Sequence, residues 1–152
     1  MIAPKVIVQS DDFDQSAETR KLTRGRTDIG AVATFTGLCR SEDHSLTALE
    51  LEHYPGMAEA EIERSASEAC QRWPIDGMTV IHRYGVIRPG EQIVLVIATS
   101  RHRDAAFDGA RYVMDFLKTN APFWKKEHRA DGTPGDWVDA KESDEAAKKR
   151  WD

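Results

Sequence analysis

Gln92-Ile93-Val94-Leu95-Val96-Ile97-Ala98-Thr99, followed through Ser100-Arg101-His102-Arg103 by the stretch Asp104 to Thr119, decides the fold. The first eight residues are nearly all aliphatic, as expected of a strand covered on both faces and therefore central in its sheet. From Asp104 the apolar period changes. Ala106, Ala110, Val113 and Leu117, widened by Phe107 and Met114, form the buried stripe of a long helix. Ser100 or Asp104 is placed to cap its start, and Pro122 forbids easy continuation at its end.

Working upstream, Met78 to Tyr84 reads as a strand that reaches the central one through the turn sequence Arg88-Pro89-Gly90-Glu91. Met57 to Trp73 reads as a helix burying Ala58, Ile62, Ala66, Ala69 and Trp73, and Pro74 stops it. Leu46 to Tyr54 alternates, with Leu49, Leu51 and His53 on one side and Glu50, Glu52 and Tyr54 on the other, as a half-buried strand does. Arg40 to Ser45 is a polar loop. Ile29 to Thr36 is a β-rich run ending at Gly37, Ala17 to Leu22 a short helical piece, and Lys5 to Gln9 a first strand. Downstream, Phe123 to His128 and Asp136 to Ala140 are set to pair as a final hairpin. This order predicts an α+β fold with a mainly antiparallel sheet and two long helices. Its 152 residues suit a single domain, 1–152.

Composition narrows the function. Hydrophobic residues at 40% and charged residues at 31% fit an ordinary soluble globular protein. A formal charge of −5 counts against a nucleic-acid binder. The longest apolar run, Ile93 to Ala98, is too short to span a bilayer, and the first residues lack a secretory signal, so the cytoplasm is expected. Cys39 and Cys70 stand far apart and outside any CxxC motif, and His44, His53, His82, His102 and His128 show no metal spacing, so no metal site is expected.

The basic residues gather in two places. Arg101-His102-Arg103 falls at a helix start, where free N–H groups and the dipole favour an anion, although a solvated turn explains such a triplet equally well. Lys118 ends the same helix, and the rigid apolar spacer Ala121-Pro122-Phe123-Trp124 leads from it to Lys125 and Lys126. In a strand those two lysines point to opposite faces, so only one readily joins Lys118. Arg40, after the Gly37 bend, reaches an anion or anchors its loop. Cys39, at a strand end, reads as a small core residue.

Several blocks resemble the catalytic (large) subunit family of molybdopterin synthase. They are Leu51-Glu52-His53-Tyr54-Pro55-Gly56-Met57, Val80-Ile81-His82-Arg83, His102-Arg103, Met114 to Glu127, and Trp137-Val138-Asp139-Ala140-Lys141-Glu142-Ser143-Asp144. The resemblance runs from about Ile29 to Trp151, and the Lys118 to Glu127 block is its most specific part. It implies an α/β-hammerhead fold and a homodimer within a heterotetramer. Each end of that dimer would bind a small ubiquitin-like sulfur-carrier subunit whose C-terminal Gly-Gly bears a thiocarboxylate. The implied reaction passes sulfur to cyclic pyranopterin monophosphate (precursor Z), giving the dithiolene of molybdopterin, with no metal or organic cofactor. Lys118 and Lys125 are the implied catalytic residues. Leu38, Cys39, Arg40, His102, Arg103, Lys126, Glu127 and Lys141 are the implied substrate-binding residues. Leu38 and Cys39 stand where some relatives carry a basic residue and Val, and Lys141 where many carry Arg, losing bidentate geometry. A helix of about 15 residues is about 22 Å long, so one small substrate cannot meet His102 and Lys118 of the same chain. A site shared across the dimer is therefore expected. The rival expectation is a module that binds a carrier protein or an anion without chemistry.

Overall fold

The computed structural model describes residues 2–119, 123–132, 146–147 and 149–152, together with the backbone of 134–138. The elements are β1 (Lys5–Gln9), α1 (Gln15–Thr23), β2 (Ala31–Leu38), β3 (Leu46–His53), α2 (Met57–Arg72), β4 (Gly77–Arg83), β5 (Gly85–Ile87), β6 (Gln92–Ser100), α3 (Arg103–Thr119), β7 (Phe123–Arg129) and β8 (Pro134–Val138). The α+β class, the two long helices and the predominance of antiparallel pairing are as expected. The strands, however, form two four-stranded sheets, ordered β1-β4-β6-β2 and β5-β3-β7-β8.

β6 is central in the first sheet, antiparallel to both β4 and β2, and its Val94 to Ser100 stretch is buried throughout. β1 adds to β4 in parallel. One face of this sheet packs against α2 and α3 through Met78, Val80, Val94, Val96 and Ala98. The other face, with Ile81, Leu95 and Ile97, is covered by Phe13 and by Leu22 of α1. Asp14 caps α1, its carboxylate accepting the Ala17 N–H at 3.1 Å.

The second sheet contains the element missed in the sequence. The chain does not run straight from β4 into the turn before β6. Gly85, at φ +92°, swings it out so that β5 pairs with β3. Glycine alone adopts this conformation without strain. β3 alternates less cleanly than its sequence. A register shift between Leu46 and Ala48 sends Ala48 into the core, and Glu50 is half-buried against His128 at 2.9 Å. β7 and β8 form the expected hairpin, although Asp139 and Ala140 lie outside the described residues.

Three local expectations need correction. Trp73 is not helical: the residue before a proline avoids the α region, and Trp73 is extended at φ −129°, ψ 153°. Asp104 does not cap α3, because the helix begins one residue earlier; its carboxylate lies in the first turn, where it favours the positive dipole end. Ser100 contributes only a long 3.5 Å contact to the His102 N–H, while its hydroxyl donates to the Pro74 carbonyl at 2.8 Å. Phe107 does not widen the buried stripe and is 64% exposed. Small residues instead let α3 lie close to its neighbours, since a Cβ on Gly109 would meet Ile75 Cδ1 at 2.4 Å. No helix among the described residues is long and apolar enough to cross a membrane.

Candidate active site at one end of the first sheet

Strand direction sorts the candidate residues into two groups. Leu38 pairs with Gln92 and His82 with Val94, so the ends of β2 and β4 meet the start of β6. At the opposite end Ala31 pairs with Ser100 and Gly77 with Thr99. α3 follows β6 after two residues and runs back across the sheet, packing on β6 and β2. Lys118 in its last turn therefore returns to the end that holds Leu38, Cys39, Arg40 and His82. His102 and Arg103 stay at the other end, about 22 Å away at 1.5 Å per helical residue.

Lys118 is exposed at the helix end where the dipole favours a cation. Lys125 is half-buried in β7, opposite Leu51 of β3 and Val138 of β8. Two-residue periodicity places Lys125 on the face of Phe123, and Lys126 on the other face opposite Glu50. This resolves which of the two lysines joins Lys118. Glu127 shares the Lys125 face and lies 3.8 Å from Arg129.

The two lysines meet around a histidine that sequence reasoning quoted but gave no role. His82 is buried at the end of β4, with Nδ1 2.9 Å from the Arg83 carbonyl oxygen. Its ring stacks on Phe123 at 3.8 Å between centroids, 13° from parallel. Phe123 also stacks with His53 at 5.8 Å, and His53 leans on Tyr84 at 4.4 Å. Burial pushes the His82 imidazole down to about 4, the positive fields of Lys125, Lys118 and His53 act in the same direction, and the Arg83 carbonyl opposes them. The one signal available beforehand was a histidine ending an otherwise apolar strand.

The other candidates are placed as follows. Leu38 is 54% exposed on β2. Arg40 is solvent-exposed and pairs with Glu42 at 3.2 Å, a contact worth little in water. The Cys39 side chain is core, packed with Leu51 and Ile87, so only its backbone faces outward contacts: its N–H donates to the Glu91 carbonyl at 2.9 Å. Burial, and then the charge of Glu91, raises the Cys39 thiol, and burial pushes Cys70 up to about 11. Neither thiol is activated. His102 and Arg103 are exposed beside a well-paired cluster. In that cluster Arg26 grips Asp28 with two bonds of 2.9 Å, holding its carboxyl down to about 2 with further help from Arg101. Lys141 lies outside the described residues. Among the described residues no group of three His, Cys, Asp or Glu is placed to hold a metal ion.

An array of two lysines over a neutral imidazole suits stabilising a developing oxyanion or moving a proton. Comparison with known proteins identifies the family. The family model described as MoaE protein matches residues 8–120. A molybdopterin synthase catalytic subunit from Mesorhizobium japonicum is 64% identical over 151 residues, covering 99% of this chain and 95% of the relative. The solved molybdopterin cofactor biosynthesis protein E from Burkholderia multivorans is 48% identical with a TM-score of 0.83, covering 99% of this chain and 97% of that one. The solved molybdopterin synthase from Staphylococcus aureus is 26% identical with a TM-score of 0.77, covering 91% of this chain and 98% of that one. On the family match and on the near full-length identity, the chain belongs to the MoaE protein family, the family of molybdopterin synthase catalytic subunits.

Proposed function

We propose that the chain transfers sulfur from the C-terminal thiocarboxylate of a small ubiquitin-like carrier subunit to cyclic pyranopterin monophosphate, forming the dithiolene of molybdopterin in molybdenum cofactor biosynthesis. The observation that carries this reading is the convergence of Lys118 and Lys125 on His82, while the thiols stay buried and unactivated. Sulfur must then arrive on a partner, as the relatives' designation as one subunit of a synthase also suggests.

The thiocarboxylate sulfur first displaces an oxygen substituent on the pterin side chain, giving a thioester. Water then adds to the carrier's terminal carbonyl carbon, and the tetrahedral oxyanion collapses with cleavage of the C–S bond, leaving sulfur on the pterin and a carboxylate on the carrier. The Lys118 and Lys125 ammonium groups are together assigned to holding that oxygen and to proton transfer at the same centre. Exposed apolar side chains flank this end: Tyr54 and Trp124, in edge-to-face contact at 5.1 Å, with Met57 nearby in the chain. They offer the carrier a docking face beside the lysines.

The substrate phosphate needs cations, and Arg40 supplies one at the Lys118 end. Arg103 and His102 crowd the positive end of α3, where a bound anion relieves the repulsion. With about 22 Å between the groups, a homodimer that brings His102 and Arg103 from the second protomer completes the site, together with Leu38, Cys39, Arg40, Lys126, Glu127 and Lys141. β2 suits that contact. It is an edge strand exposing Val32, Phe35 and Leu38, and Phe107 is exposed on α3, which packs against it. The test is reconstitution with thiocarboxylated carrier and cyclic pyranopterin monophosphate. Molybdopterin should form only with both present, and formation from free sulfide at a comparable rate without the carrier would overturn the reading.

A further inference from the structure

The two sheets touch at the lysine end through aromatic rings. β4 of the first sheet contributes His82, while β3 and β7 of the second contribute His53 and Phe123. His82 shares the helix-facing side of β4 with Met78 and Val80, in the layer packed against α2 and α3, and Lys118 at the end of α3 is near enough to act on its charge. Phe123 opens β7 and shares a face with Lys125 two residues on. The ring pair ties the start of β7, two residues before Lys125, to the first sheet.

We propose that His82 is a positioning residue for the lysine pair: by gripping Phe123 across the gap between the sheets, it holds the start of β7 against the end of α3 and sets the separation of Lys125 from Lys118. The proposal rests on the reading of those lysines as the reacting cations.

Histidine meets three demands at once. Its flat ring provides the 3.8 Å stack. Its Nδ1–H satisfies the Arg83 carbonyl, which phenylalanine would leave without this donor. It also stays uncharged. Burial is the main cause; the positive fields of Lys125 from β7, Lys118 from α3 and His53 from β3 act with it, and the Arg83 carbonyl beside it in β4 opposes them. No third positive charge then competes with the lysines for an anionic intermediate.

The experiment has two arms. In the free protein, imidazole ¹⁵N NMR should show His82 neutral with the proton on Nδ1 across the assay range. The amide resonances of Phe123, Trp124 and Lys125 should move in His82→Leu and return towards wild type in His82→Phe. In the reconstituted enzyme, His82→Leu should lower kcat by about 10–100-fold, the scale of an ångström-sized misplacement, with KM for the pterin little changed. His82→Phe should recover most of that loss, with a pH–rate profile parallel to wild type. Where His82→Leu does not fold, His82→Asn keeps a donor but cannot stack, and carries the same expectation. A folded His82→Leu or His82→Asn with normal kcat overturns the proposal. So does a His82→Phe enzyme that stays slow and loses a limb of the pH profile, because His82 would then be exchanging protons. The wild-type turnover in the second arm judges the sulfur-transfer reading, and the substrate-free first arm judges the positioning role, so the two failures are distinguishable.

Discussion

The two ends of α3 carry basic residues of the same kind in opposite circumstances. At its C-terminal end Lys118 sits where the dipole welcomes a cation, over a buried neutral histidine and a ring stack, with no ion pair among the described residues. At its N-terminal end Arg103 and His102 sit where the dipole repels them, next to arginines already engaged with Asp28. The first end sets an exposed cation beside a buried, low-polarity wall. The second has surplus positive charge awaiting an anion. On the function proposed above, the two ends would serve different parts of one reaction, the chemistry at Lys118 and phosphate anchoring at Arg103, with α3 as the spacer between them.

The strongest way to break this contrast is Lys118→Ala. It should cut turnover by about 10²–10⁴-fold while leaving the melting temperature nearly unchanged, since the side chain is exposed. Lys125→Ala should also be severely impaired. Normal turnover with weakened carrier affinity, measured by titration, would instead favour a binding module without chemistry.

Mixing sharpens the contrast. Arg103→Ala and Lys118→Ala chains, each inactive alone, should regain activity when co-assembled, because each mixed dimer holds one intact site out of two. Verified mixed dimers with no recovery would mean each protomer builds its site alone.

Acid probes the wall itself. Unfolded, His82 titrates near 6.5; folded, it titrates near 4. Between those values the unfolded chain takes up a proton that the folded chain refuses, so the folded state loses stability as pH falls through that window, by about 3 kcal/mol at its foot. Thermal melts from pH 7 to 4.5 should show this loss in wild type and a smaller one in His82→Phe. Equal losses would place the acid sensitivity elsewhere.

The spacer is tested at Gly109. A valine there forces Ile75 aside and should cost about 1–3 kcal/mol, read in denaturant melts, with a fall in turnover as both ends of α3 shift. The smallest effects are expected at the thiols. Cys39→Ala and Cys70→Ala, though core changes, should retain most activity in the same assay. A loss of about two orders of magnitude in folded Cys39→Ala would return a thiol to the mechanism.

Much of this was legible from the chain alone wherever the signal was local. β1 and the β6–α3 unit declare themselves by composition and period, and the lysine block by its resemblance. β5 escaped because three residues, Gly85–Ile87, are too few to show a period. Phe107 escaped because helical spacing gives an apolar residue no information about how wide a neighbour's groove is. His53 read as a half-buried residue and is one, but its partnership with Phe123 joins residues 70 positions apart. That only one of Lys125 and Lys126 readily joins Lys118 followed from strand alternation, and Lys125 was the one the resemblance implied; its place on the face of Phe123 needed the structure.

The sequence by itself determined most of the elements, the central strand, the helix that carries cations at both ends and the family. These rest on short-range periodicity and on residue identity, which are written locally. Only the tertiary structure decided that the strands divide into two sheets and that His82 stacks on Phe123 between them. Those facts depend on which distant residues exclude water from one another, and packing of that kind exists only once the chain has folded.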